Sequence, residues 1–392
     1  DMILFFKSNN SPCENKLLNQ KMYLCPKKES MLSTSHFVPK DYLNTIEKGS
    51  FEWSAPSNIA LVKYWGKREH QIPANPSVSF TLKNCKTITK LSFQKIEKGT
   101  DFSFDLLFEG QPKESFRPKI QKFFERIERY LPFLKEYHFI IDTQNTFPHS
   151  SGIASSASGM AALAVNLMSL EKQLNPEMTE EYFNQKASFL ARLGSGSACR
   201  SVKGKVVIWG NHNESEGSSD LFGVEYDAIH SNFINCQDTI LLVDKGEKQV
   251  SSTLGHELMN GHPYAEKRFE QAHQNLTHVK KLLSNGNWNE FISLVESEAL
   301  TLHAMMMTSM PYFILMKPNT LEIINKIWKF RTVKDVPVCF TLDAGANVHV
   351  LYPENVREEV LQFIKNELVA YCQNGQYICD EMGVGAIQLN EF

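Results

Sequence analysis

The sequence predicts an α+β protein in which helices and strands follow one another without a regular order. Apolar residues recur at every second position in some segments, which indicates half-buried strands. In others they recur at intervals of three and four, which indicates helices. The predicted strands and helices do not alternate strictly, as a doubly wound parallel sheet would require. The 392 residues are enough for two domains, each with a full hydrophobic core.

The elements of the first half follow from spacing and turn residues. Phe102, Phe104, Leu106 and Phe108 recur at every second position and predict a strand that ends in the turn 109–112. Pro118 precedes apolar residues at helical spacing, so a helix is predicted to begin there. The same reasoning predicts a strand within 55–67, a strand at 137–142, a helix at 157–170 and a strand at 206–209.

The second half is predicted by the same patterns. Its strands are 239–243, 338–342, 348–352 and 386–389, and its helices are 264–283, 287–306, one around 321–328, and 354–371. The polar, Gly/Ser-rich run 211–219 predicts a domain boundary near residue 235, which gives domains at 31–235 and 236–392. Residues 1–30 lack apolar periodicity and are predicted to be an extension, disordered or non-native, whose removal leaves the fold and the activity unchanged.

Composition narrows the class of protein. The 41 Lys and Arg against 44 Asp and Glu are scattered along the chain and give a net charge of -3, which argues against a nucleic-acid partner. The eight cysteines include no C-x-x-C pair, so reduced thiols and a cytoplasmic location are expected. The apolar run 2–6 is far too short to cross a membrane.

Segment 148–160 follows a strand and enters an Ala-rich helix. A Gly/Ser loop at a helix N-terminus presents free backbone N–H groups and the positive end of the helix dipole to an anion. The candidate phosphate ligands are Gly152, Ala154, Ser155, Ser156 and Ser158. The loop is not a Walker A motif. A capped helix whose small residues allow close packing explains the segment equally well.

A second polar cluster lies at 192–201. Ser195, Ser197 and Arg200 could converge on an anion, and the planar guanidinium of arginine suits two-point binding of carboxylate or phosphate. A flexible turn after a helix is the alternative. The pair Ser251 and Ser252 offers two further hydroxyls after a basic residue.

Two charged residues stand within or beside apolar strands. Lys63 interrupts the apolar run of 55–67, and a buried lysine is costly without an opposite charge, so a partner is expected. An edge strand with Lys63 facing solvent is the alternative. Asp343 ends the strand 338–342 before Gly345, a placement shared by catalytic acids and by turn-capping aspartates. The run from His256 to His262 is similar to H-E-x-x-H, but its histidines are six residues apart, so no zinc site is expected.

Taken together, these segments resemble the GHMP superfamily of small-molecule kinases and, within it, the diphosphomevalonate decarboxylase family. The matches occur in the order of the family and span 52–392. The runs GSGSACRS and KYWGK together distinguish this family from the related kinases. The matching segments are 55–67, 147–159, 194–201, 250–253, 302–304 and 341–347.

The resemblance implies a two-domain fold, with an N-terminal half like ribosomal protein S5 domain 2, a ferredoxin-like C-terminal half and an active site between them. It also implies a reaction in which ATP, with Mg2+, phosphorylates the 3-hydroxyl of mevalonate 5-diphosphate. Phosphate and CO2 then leave, and isopentenyl diphosphate forms. A cytoplasmic homodimer belongs to the same expectation.

The resemblance also implies roles for individual residues. Asp343 lies at the 3-hydroxyl, Lys63 is its partner, and Arg200 faces the substrate carboxylate with Asn58 nearby. The residues implied around the diphosphate are Tyr64, Lys67, Ser195, Ser197 and Ser252. Those implied for ATP are Gly152, Ala154, Ser155, Ser156 and Ser158, with Ser155 also at the metal.

Some positions depart from the family pattern, namely 149–151, Lys205 and Ala346, but the acid, the lysine and the arginine are retained. Three alternatives stay open at this point. The first is a GHMP kinase that only phosphorylates, and the second is an enzyme that decarboxylates the monophosphate. The third is a catalytically silent sensor, against which the retained acid, lysine, arginine and phosphate loop argue.

Overall fold

A computed structural model describes residues 33–148, 153–246 and 252–391. The segment Thr34–Phe392 forms one compact unit. The strands of the described residues are β1 (Lys48–Val62), β2 (Ser77–Lys95), β3 (Ser103–Phe108), β4 (Gln111–Pro112), β5 (Tyr137–Asn145), β6 (Val206–Trp209), β7 (Val224–Glu225), β8 (Gln237–Leu241), β9 (Cys339–Thr341), β10 (Val348–Tyr352), β11 (Tyr377–Glu381) and β12 (Ile387–Glu391).

The α-helices of the same residues are α1 (Arg117–Ile127), α2 (Ser155–Leu174), α3 (Glu180–Gly194), α4 (Ser231–Ile234), α5 (Ser252–Glu257), α6 (Ala265–Asn285), α7 (Trp288–Met307), α8 (Pro318–Lys334) and α9 (Arg357–Phe363). A 3₁₀ segment, Gly196–Ser201, follows α3. A π-helical turn, Ile364–Leu368, continues α9. Among the described residues, no helix is both long and apolar enough to cross a membrane.

The first sheet contains eight of the described strands. Its main order is β12-β1-β2-β5-β3-β4, and β6 pairs with β2 and carries β7 at its side. The long hairpin of β1 and β2 is antiparallel and extends from the pair Lys48 and Gln94 to the pair Val62 and Val78. Helix α2 packs against both strands. Its residues from Met160 to Glu171 are buried all round, which accounts for the small or apolar side chains at most of these positions.

The second sheet is antiparallel, in the order β11-β8-β10-β9. Helices α7 and α8 pack against β9, and a second apolar core surrounds Phe340 and Val350. The last strand, β12, leaves this half of the chain and pairs with β1 of the first sheet. The predicted boundary near residue 235 falls between α4 and β8 and stays a prediction.

Most predicted elements are confirmed, because apolar spacing encodes them locally. The strands β2, β4, β7 and β11 and the helices α3, α4 and α5 were not predicted. In β2 the reason is visible: Ser77, Ser79 and Thr81 are buried polar residues, which hide the strand from a hydrophobic pattern. The prediction that Lys63 lies inside a strand is wrong by one residue, because the pairing of β1 with β2 ends at Val62.

Candidate active site

The centre of the site is an ion pair between the two halves of the sequence. Lys63 follows β1 directly, and Asp343 lies in the bend between β9 and β10. The Lys63 Nζ atom is 3.1 Å from Asp343 Oδ1, and the lysine side chain is 2 % exposed whereas the aspartate side chain is 32 % exposed. Burial lowers the pKa of Lys63, and the charge of Asp343 opposes that shift. The predicted partner of Lys63 is therefore present, and part of its carboxylate faces open space.

Arg200 is the second buried cation, held in the 3₁₀ segment Gly196–Ser201. It donates from Nη1 to Ser77 Oγ over 2.6 Å and from Nε to Ser79 Oγ over 2.9 Å. A longer contact of 3.4 Å joins its Nη2 to Asn58 Oδ1. Burial lowers the pKa of Arg200, and Asp343 is among the groups that oppose the shift. A guanidinium held by these neutral oxygens keeps its positive charge available to an anion.

Asn58 forms hydrogen bonds to the same 3₁₀ segment. Its Nδ2 donates to Ser201 Oγ over 2.8 Å and to the Ser197 carbonyl oxygen over 3.2 Å. The amide therefore fixes both Arg200 and the 3₁₀ segment around it. The structure brings together Asn58, Lys63, Arg200 and Asp343. Their spacing in the sequence does not predict that they are close in space.

Four of the predicted diphosphate ligands, Tyr64, Lys67, Ser195 and Ser197, lie in the turn after β1 and the loop after α3, which together are called the wall here. The Tyr64 ring lies between the rings of Trp209 and His256, with centroids 4.6 and 4.1 Å away. A Cβ atom at Gly196 would come within 2.9 Å of Tyr64 Oη, so the close approach of this loop requires glycine. Ser195 and Ser197 flank that glycine and are half-buried. Lys67 Nζ is 4.0 Å from Glu257 Oε1, and burial lowers the pKa of the lysine.

The predicted phosphate loop leads into α2. Ala154, which precedes the helix, has a left-handed backbone with φ of 46°, an unusual conformation for a residue other than glycine. Ser155 and Ser156 open the helix at the side of a cavity of ≈ 130 Å³, and the lining of that cavity also includes Leu106, Phe108 and Met160. Ser158 instead points inward and shares a 2.6 Å hydrogen bond with Thr87 Oγ1. Gly152 and the side chains of Ser251 and Ser252 lie outside the described residues.

Two family models match this chain, one in each half of the sequence. The family described as "Diphosphomevalonate decarboxylase-like N-terminal domain" matches residues 55–220, and the family "Mevalonate 5-diphosphate decarboxylase C-terminal domain" matches residues 239–391. A diphosphomevalonate decarboxylase of Candida albicans is 30% identical over 327 residues, which cover 79% of this chain and 86% of that protein. The chain belongs to the diphosphomevalonate decarboxylase family.

Solved decarboxylase structures share the fold. The mevalonate diphosphate decarboxylase of Staphylococcus aureus superposes with a TM-score of 0.75 at 25% identity and covers 88% of this chain and 98% of its own. A structure of the enzyme MDDEF in complex with MVAPP, AMPPCP and magnesium gives a TM-score of 0.73 at 27% identity, with 87% and 99% covered. These similarities confirm the predicted α+β GHMP fold.

Two residues that contact predicted site segments were missed. Lys119 of α1 donates from Nζ to Ser156 Oγ over 2.8 Å, at the N-terminus of α2. No short motif links positions 37 residues apart in sequence, so only the fold reveals this contact. The sequence pattern presents His256 only as a candidate zinc ligand.

His256 instead packs against the wall, beside Tyr64. Its Nδ1 accepts a hydrogen bond of 3.0 Å from the backbone N–H of Gly66, and its ring packs at a tilt against the rings of Tyr64 and Trp65. Burial, aided by the charges of Lys67 and Arg200, lowers the pKa of His256 to about 3. The imidazole is therefore neutral and supports the Tyr64-Trp65-Gly66 turn. Its spacing from His262 could not have shown this role.

Proposed function

We propose that the protein decarboxylates mevalonate 5-diphosphate in an ATP-dependent reaction that yields isopentenyl diphosphate, ADP, phosphate and CO2. The observation that carries the proposal is the partly exposed carboxylate of Asp343, held 3.1 Å from the buried amine of Lys63. The related MDDEF enzyme binds MVAPP, AMPPCP and magnesium, a ligand set that fits this reaction.

Asp343 is the proposed base. A tertiary alcohol is a weak nucleophile, so a carboxylate that orients the 3-hydroxyl and accepts its proton assists attack of that oxygen on the terminal phosphorus of ATP. Lys63 favours the ionised carboxylate by its charge and by its hydrogen bond to Oδ1. The pair thus combines a base with the group that maintains its charge.

The same pair serves the second half of the reaction. The bond between C3 and oxygen breaks, and its electron pair leaves with the phosphate. By then Asp343 has passed the proton of the 3-hydroxyl on to water and is anionic again. Its carboxylate stabilises the positive charge that develops at C3. The electrons of the bond to the carboxylate form the new double bond as CO2 leaves. No external oxidant or reductant is needed.

Arg200 is the proposed ligand of the substrate carboxylate. Its guanidinium is buried and is held in place by hydroxyl and amide oxygens. Those bonds orient the guanidinium before the substrate arrives, which lowers the cost of binding. Two-point contact with the carboxylate would align the C–C bond that breaks.

The wall of Tyr64, Lys67, Ser195 and Ser197 is the proposed site of the diphosphate, together with Ser252. Two of its features support an anion: the amine of Lys67 and the hydroxyls that flank Gly196. These donors come from separate segments, the turn after β1 and the loop after α3, and can therefore surround a group larger than one phosphate.

The N-terminus of α2 is the proposed site of the ATP phosphates. Ser155, Ser156 and the backbone of Ala154 lie there beside the amine of Lys119. The adjoining apolar cavity suits a flat base. Mg2+ is usually held by phosphate oxygens, waters and few protein ligands, which fits a site where Ser155 supplies a hydroxyl. When bound, Mg2+ supplies positive charge that offsets the phosphoryl charge.

Product analysis tests the proposal. The full chain is incubated with ATP, Mg2+ and mevalonate 5-diphosphate labelled in its carboxylate, and CO2, isopentenyl diphosphate and ADP are measured together. Equal amounts of the three support the proposal. ADP with a 3-phosphorylated product and no CO2 would indicate a kinase, and absence of turnover with nucleotide binding retained would indicate a sensor.

A cytoplasmic homodimer completes the proposal. The described cysteines, Cys85, Cys199, Cys236, Cys339, Cys372 and Cys379, are free, as expected of a reducing compartment. Sedimentation at several protein concentrations tests the dimer. Fluorescence microscopy of the tagged protein tests the compartment.

A further inference from the structure

The backbone of Lys63 is held by side chains from outside its own sheet. Pairing of β1 with β2 ends at Val62. One residue further, the Lys63 N–H donates to Glu298 Oε2 over 2.9 Å. Its carbonyl oxygen accepts from Arg268 Nη2 over 3.2 Å and from Asn75 Nδ2 over 2.9 Å. Both peptide groups that flank the lysine side chain are therefore fixed at the point where the strand stops.

Glu298 and Arg268 form a buried pair between α7 and α6. Their side chains are 0 % exposed, and two hydrogen bonds of 2.5 and 2.9 Å join them. Asn275 donates a further bond of 2.5 Å to Glu298 Oε1. A buried ion pair is on average no more stabilising than apolar residues of the same size. The two-point geometry of the pair holds both side chains in fixed orientations, and these side chains in turn hold the backbone of Lys63.

The same helix also reaches the other member of the catalytic pair. His303 lies five residues after Glu298 on α7 and is 1% exposed. Its Nε2 is 3.1 Å from the carbonyl oxygen of Asp343. Because a carbonyl oxygen only accepts, Nε2 carries the hydrogen and the imidazole donates. Helix α7 thus contacts the backbones of Lys63 and Asp343 through two of its own side chains.

We propose that α7 sets the separation between Lys63 and Asp343, with Glu298 and His303 as positioning residues that act on the two backbones. The proposal rests on the function proposed above and adds the device that aligns its acid and its lysine. A helix is rigid over five residues, and a displacement of about 1 Å at a reacting group can cost roughly 10²-fold in rate. Loss of either contact therefore lowers turnover more than substrate binding.

The first test compares two substitutions of His303. His303→Leu removes the donor, whereas the amide of His303→Gln can donate to the same carbonyl. We expect His303→Leu to lower kcat by about 10–100-fold with KM values within about threefold of normal, and His303→Gln to restore most of that loss. The matched control is His212→Leu, because His212 Nε2 makes the same kind of contact, 3.2 Å from the carbonyl oxygen of His273. It should lower the melting temperature without lowering kcat.

Equal losses in the leucine and glutamine variants of His303, or a kcat within about threefold of normal in His303→Leu, would overturn the role of His303. Crystal structures of the wild type and of His303→Leu give a readout that does not depend on activity. We expect the distance from Lys63 Nζ to Asp343 Oδ1 to exceed about 4 Å in the variant, and an unchanged distance would contradict the proposal. An inactive wild type would refute the proposed function, and the distance would still test α7.

The second test addresses Glu298. The double variant Glu298→Gln/Arg268→Gln keeps an acceptor for the Lys63 N–H and removes both buried charges together, while Asn75 still donates to the Lys63 carbonyl oxygen. Glu298→Leu/Arg268→Leu removes the contacts as well. The glutamine pair should retain a kcat within about fivefold of normal, and the leucine pair should lose about 10–100-fold, with the melting temperature of each recorded. Equal kcat values in the two double variants would show that the contacts do not position Lys63.

Discussion

The amine of Lys63 lies 3.1 Å from the carboxylate of Asp343, although 280 positions separate the two residues. This contact joins the end of β1 in the first sheet to the bend that follows β9 in the second. The acid is therefore correctly placed only when both sheets are assembled.

The first prediction concerns the acid. Asp343→Asn should abolish turnover and leave nucleotide binding nearly intact, because the amide keeps the shape of the side chain but cannot accept the proton. Steady-state CO2 release and nucleotide titration measure the two effects. Activity within about tenfold of normal would contradict the role of Asp343 as base.

The second prediction concerns Arg200. Arg200→Lys should raise the KM for the mevalonate substrate by roughly 10–100-fold, because a point charge replaces a two-point contact whose charged hydrogen bonds contribute about 1.5–3 kcal/mol. The KM for ATP should stay near normal, and it serves as the internal control. An equal rise in both KM values would indicate that the 3₁₀ segment around Arg200 has collapsed.

The third prediction concerns Lys119, the residue that reaches the start of α2. Lys119→Met should raise the KM for ATP by about tenfold, because one charge-assisted contact to a phosphate is lost. Lys172→Met is the matched control, because Lys172 lies near the opposite end of the same helix in an exposed ion pair with Glu180. Equal effects of the two substitutions would exclude Lys119 from the nucleotide site.

The fourth prediction concerns the number of phosphates on the substrate. Removal of the outer phosphate should leave donors among Tyr64, Lys67, Ser195 and Ser197 unpaired, at about 1–3 kcal/mol each when buried. Two such losses lower kcat/KM by roughly 10²–10⁴. The diphosphate and the monophosphate are compared at saturating ATP and Mg2+, with Lys67→Ala as the control. A preference for the monophosphate would change the substrate but not the mechanism.

The fifth prediction concerns acid stability. Burial lowers the pKa of His303 to about 4 and, with nearby cations, that of His256 to about 3, from 6.5. Below pH 6.5 the unfolded chain takes up protons that the folded imidazoles exclude, so the free energy of unfolding should fall by about 2 kcal/mol for each histidine between pH 6.5 and 5. Urea unfolding at both pH values measures the slope. His303→Gln should reduce the slope, and an unchanged slope would contradict the assignment.

The sequence by itself determined most of the longer helices, most strands and the types of residue that do the chemistry. Apolar spacing along α1, α6 and α7 reports the face that each helix buries, because neighbours three and four residues apart share a face. Lys63, Arg200 and Asp343 were recognisable as candidate site residues because each is a charged residue in an apolar or glycine-rich segment.

Only the tertiary structure decided which of these residues meet. The contacts of Lys119 with Ser156, of His256 with Gly66 and of Glu298 with Lys63 join distant segments, and no spacing rule encodes them. The first part of β2 escaped prediction for the same reason, since Ser77 and Ser79 are buried to hold Arg200. A local pattern of apolar residues encodes which face of a helix or strand is buried and which faces solvent. A site depends instead on distances between elements, which are fixed only when the sheets and helices pack.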